Sequence, residues 1–277
     1  MPSDLPSTTA TIARGLLRRR PGLTVDKPIP RIARSADSMR ATPEWLRSYR
    51  TLSGGPDNGV LPLLAPQILA GPLHAQVLCD PQMPVGVLGL VHVVNRVEQR
   101  QPIADDQPFD LEVWIEGHRP AKQGAELDVH TQASVDGQVV WTAVTTALSR
   151  GPWKDPDAPG APAEDAPLPE SQAHWRVAED IGRRWRKVSG DPNPIHLHAW
   201  LAKPFGFRRA IAHGTWLLAH AAGLLGESDG PALLEARFRR PVFLPATVEF
   251  RTDADGRFEL RDAKRDRRHL EGRLTSP

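Results

Sequence analysis

The segment Ser189–His220, SGDPNPIHLHAWLAKPFGFRRAIAHGTWLLAH, decides how the rest of the chain is read. It opens on a turn-rich run, Asp191-Pro192-Asn193-Pro194-Ile195-His196. It ends on His213-Gly214 leading into apolar text. Pro192 and Pro194 fix two φ angles near −65° and bias the residues before them away from helix. A carboxylate and an imidazole five positions apart are thereby held on a stiff loop, where catalytic groups tend to concentrate. Histidine titrates near neutrality, so it can take and return a proton while a carboxylate shares the work. Residue types alone leave a second reading equally open: Asp191 as a turn or cap residue and His196 as a structural histidine.

Gly214 starts the next helix. A glycine there lets a ligand oxygen approach backbone N–H groups closely, and the helix dipole favours negative charge at that end. Such a start can act as an oxyanion hole, or the glycine can serve close packing. Between loop and helix lie Lys203, Arg208 and Arg209, a basic group suited to a phosphate-bearing ligand or to a solvated surface. The spacings His196-x-His198 and His213-x6-His220 raise the question of metal. No cysteine partner and no HExxH motif accompanies them, so no metal is expected. Walker, G-x-G-x-x-G and G-x-S-x-G motifs are absent.

Outward from this segment, the text on its C-terminal side reads as an apolar helix, Gly214–Leu225, and then strands at Leu233–Arg239, Thr247–Asp253, Arg257–Ala263 and His269–Leu274. Before it stand a strand, His174–Val177, and a helix near Ala178–Lys187. Residues 151–170 are rich in proline and read as an exposed linker. The earlier part has the same order. Strand-like text from Arg31 leads to a helix opened by Thr42-Pro43, with threonine as cap and proline at the first helical position. An apolar run follows from Val60 to Cys79, broken by Pro66 and Pro72. Strands then come at Leu88–Val97, Phe109–Gly117, Ala125–Ala133 and Gln138–Leu148. Asp136-Gly137 and Asp255-Gly256 are hairpin signals.

Displacing the chain by 136 residues lays Arg47-Ser-Tyr-Arg-Thr-Leu-Ser-Gly-Gly-Pro56 over Arg183-Arg-Trp-Arg-Lys-Val-Ser-Gly-Asp-Pro192. Gly55 then stands at Asp191 and Val60 at His196. The chain reads as a duplicated unit whose second copy alone keeps the reactive pair. The expected division is a tail at 1–28, a first unit at 29–150, the linker at 151–170 and a second unit at 171–277. A buried helix followed by antiparallel strands implies an α+β fold with a sheet wrapped around each helix, the two sheets edge to edge.

The totals fit a globular chain. Of 277 residues, 40% are apolar and 25% charged, and Lys plus Arg exceed Asp plus Glu by only two. That balance gives no support for a nucleic-acid partner. No apolar run reaches the roughly 18 residues of a membrane helix. One cysteine, Cys79, excludes an intrachain disulfide and fits a reducing compartment. The basic N-terminus lacks the apolar core of a secretory signal. A cytoplasmic location is expected.

On its motifs the chain resembles the MaoC-like, or hydratase 2, family. The carriers are Trp185, then Ser189-Gly190-Asp191-Pro192-Asn193-Pro194-Ile195-His196, Phe205-Gly206-Phe207, Ala212-His213-Gly214 and Arg237–Thr247. The resemblance covers about residues 171–277, while the first half is similar to the degenerate first domain of two-domain members. It implies a double hotdog fold and reversible hydration of a trans-2-enoyl thioester to the (R)-3-hydroxyacyl thioester, with no cofactor. Asp191 and His196 would activate water, and the Gly214 N–H would stabilise the enolate-like oxygen. Asn193 would brace the loop. Asn193, His213, Lys203, Arg208 and Arg209 are the implied substrate contacts. One departure is the small hydroxyl residue that many members carry one turn into the helix; about Ala219 stands there. The implied partner is an acyl-CoA or acyl-carrier-protein thioester, and the implied state is a monomer of paired hotdogs or a homodimer. Alternatives are a hotdog thioesterase and a non-catalytic acyl-thioester-binding subunit.

Overall fold

The structure is a computed structural model of the chain. It describes residues 8–16, 20–24, 27–87, 89–151, 155, 157–158, 166–168, 173–226 and 229–276. In chain order the elements are α1 (Thr8–Leu16), β1 (Ile32–Met39), α2 (Pro43–Ser53), α3 (Ala65–Leu69), α4 (Gly71–Leu78), β2 (Leu90–Gln99), β3 (Phe109–Ile115), β4 (Arg119–Ala121), β5 (Gly124–Val135) and β6 (Gln138–Arg150). They continue with β7 (Ala173–Val177), α5 (Ile181–Ser189), α6 (Ala199–Ala202), α7 (Gly214–Leu225), β8 (Ala232–Phe238), β9 (Ala246–Thr252), β10 (Arg257–Asp262) and β11 (Arg268–Thr275).

Local chemistry places several of these as expected. Thr42 caps α2 by accepting from the Trp45 N–H at 3.2 Å, and Pro43 occupies its first turn. Pro66 and Pro72 split the apolar run into α3 and α4, each with proline in its opening turn. Asp136 and Gly137 both adopt positive φ, the two-residue turn whose twist matches the strands it joins. Asp255-Gly256 differs, because only Gly256 has positive φ (73°). There Asp253 organises the loop, its carboxylate accepting from the N–H groups of Asp255 and Arg257.

All strands pair antiparallel in one sheet, ordered β1-β3-β5-β6-β2-β8-β11-β10-β9-β7, with β4 on β5. The two sheets expected side by side are hydrogen-bonded into one through β2 and β8, from Val94 opposite Arg237 to Gln99 opposite Ala232. Strand order repeats: β1, β3, β5, β6 and β2 correspond in turn to β7, β9, β10, β11 and β8. The turn after α2 repeats after α5. Gly54 and Gly190 are both left-handed, and each donates 2.8 Å to the carbonyl four residues back. The N–H groups of Gly55 and Asp191 each donate to the preceding serine, Ser53 or Ser189, at 3.3 Å. Tyr49 and Trp185, 136 positions apart, meet ring to ring at 5.5 Å. Matching positions of a duplicated unit face each other when a two-fold relates the copies.

The core is continuous across the repeat, and α7 buries Trp216, Leu217, Leu218, Ala219, Ala221 and Ala222. Cross-ties lock the helices. The Trp45 indole donates to the Val188 carbonyl and the Trp216 indole to that of Leu52, both at 2.9 Å. The expected exposed linker is not exposed throughout. Ala158 and Leu168 are buried, and the Leu168 N–H donates to the Glu259 carboxylate at 3.0 Å. Among the described residues no helix is long and apolar enough to cross a membrane.

Candidate active site

α5 ends at the left-handed Gly190, which turns the chain into the Asp191 loop. One Asp191 oxygen accepts from the Asn193 N–H at 2.9 Å, and the Asn193 side chain accepts from the Ile195 N–H. A short 3-10 turn, Pro194–His196, then carries the imidazole inward. Residues 210–213 run alongside: the Ile211 N–H donates to the Ile195 carbonyl at 3.0 Å and the Ala212 N–H to that of Val242 at 2.9 Å. This second segment delivers His213 to the same place.

Three side chains converge. The second Asp191 oxygen, Oδ2, lies 3.9 Å from His196 Nε2 and 3.7 Å from His213 Nε2. The two imidazoles stack, 3.8 Å between centroids and 25° between planes. His196 Nδ1 is 2.9 Å from the Ile211 carbonyl, which can only accept. Nδ1 therefore carries the hydrogen, and neutral His196 presents a bare Nε2 toward Asp191. At 3.9 Å the two acceptors are too far apart to bond and are spaced to receive one hydrogen each from a single water.

His213 is 2% exposed, and neither ring nitrogen has a protein partner among the described residues. An unpaired buried polar group costs about 1–3 kcal/mol. Such groups in a native fold mark places where a ligand completes the bonding. Burial pushes the His196 imidazole below its usual range, and the Asp191 charge pulls it part of the way back. Burial holds His213 well below the usual range, with His196 adding to the effect. Both rings are thus neutral near pH 7 and ready to accept a proton.

Asp191, His196 and His213 are also placed closely enough to raise the question of a metal ion. A metal binds in the plane of each imidazole. Two rings stacked nearly parallel cannot both direct a lone pair at one ion at about 2 Å. The stacking fits proton transfer better than coordination.

Gly214 is the first residue of α7, directly after His213. Its N–H belongs to the opening turn, where no intrahelical acceptor exists. A Cβ at Gly214 would lie 3.0 Å from the Phe238 ring, so close packing also favours glycine here. Ala219 is fully buried in α7. Lys203, Arg208 and Arg209 are exposed and make no ion pair with Asp191 among the described residues. The guanidinium groups of Arg208 and Arg209 lie over the Phe243 ring, at 4.9 and 5.9 Å.

Gly182 also belongs to the site, and no motif announces it. A Cβ there would fall 1.8 Å from the His196 carbonyl oxygen. The repeat holds the clue, since the corresponding residue of the first half is Leu46, where no histidine loop has to fit.

The MaoC-like domain family matches residues 162–271. A 3-hydroxyacyl-thioester dehydratase X from Mycobacterium tuberculosis is 28% identical over 258 residues, covering 92% of each chain. The crystal structure of HtdX from that organism superposes with a TM-score of 0.75 at 27% identity, covering 88% of this chain and 99% of the other. A MaoC-like dehydratase structure from Phytophthora capsici, 19% identical, shares the fold with a TM-score of 0.70 over 92% of this chain and 100% of that one.

Proposed function

We propose that this chain, whose residues 162–271 form a MaoC-like domain, catalyses reversible hydration of a trans-2-enoyl thioester to the (R)-3-hydroxyacyl thioester. The observation that carries the reading is the convergence of a bare His196 Nε2 and Asp191 Oδ2, 3.9 Å apart, beside the start of α7. In the hydration direction a water is held between these two acceptors. Its oxygen bonds to C3 as one of its protons passes to the His196–Asp191 pair. The C2–C3 π electrons move toward the thioester, and the Gly214 N–H and helix dipole stabilise the enolate-like oxygen. The captured proton is then returned to C2, so water adds across the double bond with no redox change and no cofactor. Dehydration is the reverse.

The repeated strand order and the matching turns after α2 and α5 support a double hotdog, with a first unit at 29–150 and the catalytic unit at 171–277. Asn193 braces the loop and His213 faces the reacting water. Lys203, Arg208 and Arg209 form a basic flank for the phosphates of a CoA or acyl-carrier-protein thioester. The paired units give one chain a complete site, which supports a monomer or a dimer of such pairs. A free buried Cys79 is in keeping with a cytoplasmic protein.

The test is loss of the enoyl-thioester absorbance band on adding protein to a trans-2-enoyl-CoA, with thiol release followed in parallel. Absorbance loss without free thiol supports the hydratase. Thiol release would identify a thioesterase instead, and binding with neither change a non-catalytic subunit.

A further inference from the structure

The first half contains a second cluster of polar side chains that the reaction above leaves unused. It adjoins the same helix start. The Phe238 ring approaches the Cβ position of Gly214 to 3.0 Å and lies 4.4 Å from the His92 ring. A single aromatic ring thus separates the start of α7 from His92 on β2. The strand is irregular there: its register against β6 shifts between His92 and Val94, and His92 Nε2 donates to the Val94 carbonyl at 3.1 Å. Bulges re-aim side chains and are over-represented beside active sites. On α4, His74 Nε2 meets Thr131 Oγ1 at 2.7 Å, and the two imidazoles are near enough to feel each other's charge. Asn95, fully buried and three residues beyond His92 on β2, exchanges hydrogen bonds with Gln67 at 2.9 and 3.1 Å.

Two properties leave the cluster open to a ligand. Burial lowers both His74 and His92 to about 4, yet both keep accessible surface. Their accessible surface leaves both rings within reach of a ligand. In addition, Nδ1 of His74 has no protein partner among the described residues.

We propose that His74, His92 and Thr131 form a subsite for a neutral oxygen function, a hydroxyl or a ketone, carried on the acyl chain of the substrate beyond the reacting double bond. The inference rests on the acyl-thioester reading above. At neutral pH the imidazoles are uncharged, so the cluster offers neutral donors and acceptors and no cation for a carboxylate or phosphate. A plain alkyl chain would displace water from these groups and return no hydrogen bond. Sites built to bond a hydroxyl discriminate strongly against the analogue lacking it.

The experiment uses the full chain and pairs of trans-2-enoyl-CoA substrates of equal length, one plain and one carrying a hydroxyl at successive chain positions. At one or more positions the hydroxylated member is expected to have a kcat/KM at least ~10-fold higher. The double variant His74→Leu/Thr131→Val should bring that ratio close to one. His74→Gln, a milder change, should reduce it as well. Equal turnover within every pair overturns the proposal, as does a preference that survives both variants. Crotonyl-CoA, too short to leave the active site, is run with the unaltered protein. Failure to hydrate it would overturn the reaction itself, and with it the subsite.

Discussion

Gly182→Ala is the sharpest structural test of the loop. Gly182 lies in the first turn of α5 with an ordinary helical φ, so the backbone itself accepts alanine, and helix propensity favours it by about 1 kcal/mol. The obstacle is His196. The new methyl would sit 1.8 Å from the His196 carbonyl oxygen and 2.9 Å from the carbonyl carbon. These are backbone atoms, and a real Cβ keeps at least 3.0 Å from such neighbours, so the loop must retreat by 1.2 Å or more. The retreat moves His196 against an Asp191 fixed separately by Ser189 and Asn193. A misplacement of about 1 Å at a reacting group costs on the order of 10²-fold in rate. Overpacking adds a destabilisation of about 1–3 kcal/mol. Enoyl-CoA hydration by the purified variant, with circular dichroism and thermal melting alongside, should show a kcat lower by roughly 10²-fold in a folded protein. Rates within about threefold of the parent would refute the claim that Gly182 sets the position of His196.

Two further predictions probe other parts of the account. Gly214→Pro deletes one N–H where the backbone accepts proline, His213 before it being extended (φ −65°, ψ 132°); its Cβ would meet the Phe238 ring at 3.0 Å, so Gly214→Ala, which meets the same ring and keeps the N–H, is its control. A folded variant should lose about 10²–10³-fold in kcat with little change in KM, and unchanged kcat would remove Gly214 from the mechanism. Acid should weaken the fold through His74 and His92, which titrate near 6.5 when unfolded and at about 4 when folded. The unfolded chain binds more protons below 6.5, so this stability is complete above that pH and drains away as pH falls toward 4, on the order of 3 kcal/mol per histidine. The urea midpoint should drop across that window, and less so in His74→Gln; a flat midpoint would contradict the buried neutral histidines.

Much of this was legible in the sequence because the deciding signals are local. Thr42-Pro43, Asp136-Gly137 and the prolines of the Val60–Cys79 run act on their own neighbours, and each produced the expected element. The repeat was legible for the same reason, as Ser53-Gly54 and Ser189-Gly190 make equivalent turns. What depends on distant chain was not legible. The Ala212-His213-Gly214 motif did put His213 in the site, but not its place 3.7 Å from Asp191, which needs the Ala212 N–H pinned to Val242, thirty residues on. The His74–Thr131 contact spans fifty-seven positions, and the burial of Leu168 depends on Glu259. Asp255-Gly256 does mark the β9–β10 hairpin, but the sequence did not show that Asp253 would organise the loop around its carboxylate.

The central claim is that Asp191 and His196 together add water to an enoyl thioester beside Gly214. The most direct measurement is the chirality and yield of product from a trans-2-enoyl-CoA, made by the parent chain and by Asp191→Asn and His196→Gln. The account predicts the (R)-3-hydroxyacyl-CoA from the parent and a rate at least ~10²-fold lower from each folded variant. An (S) product, or near-parental rates in both variants, would contradict it.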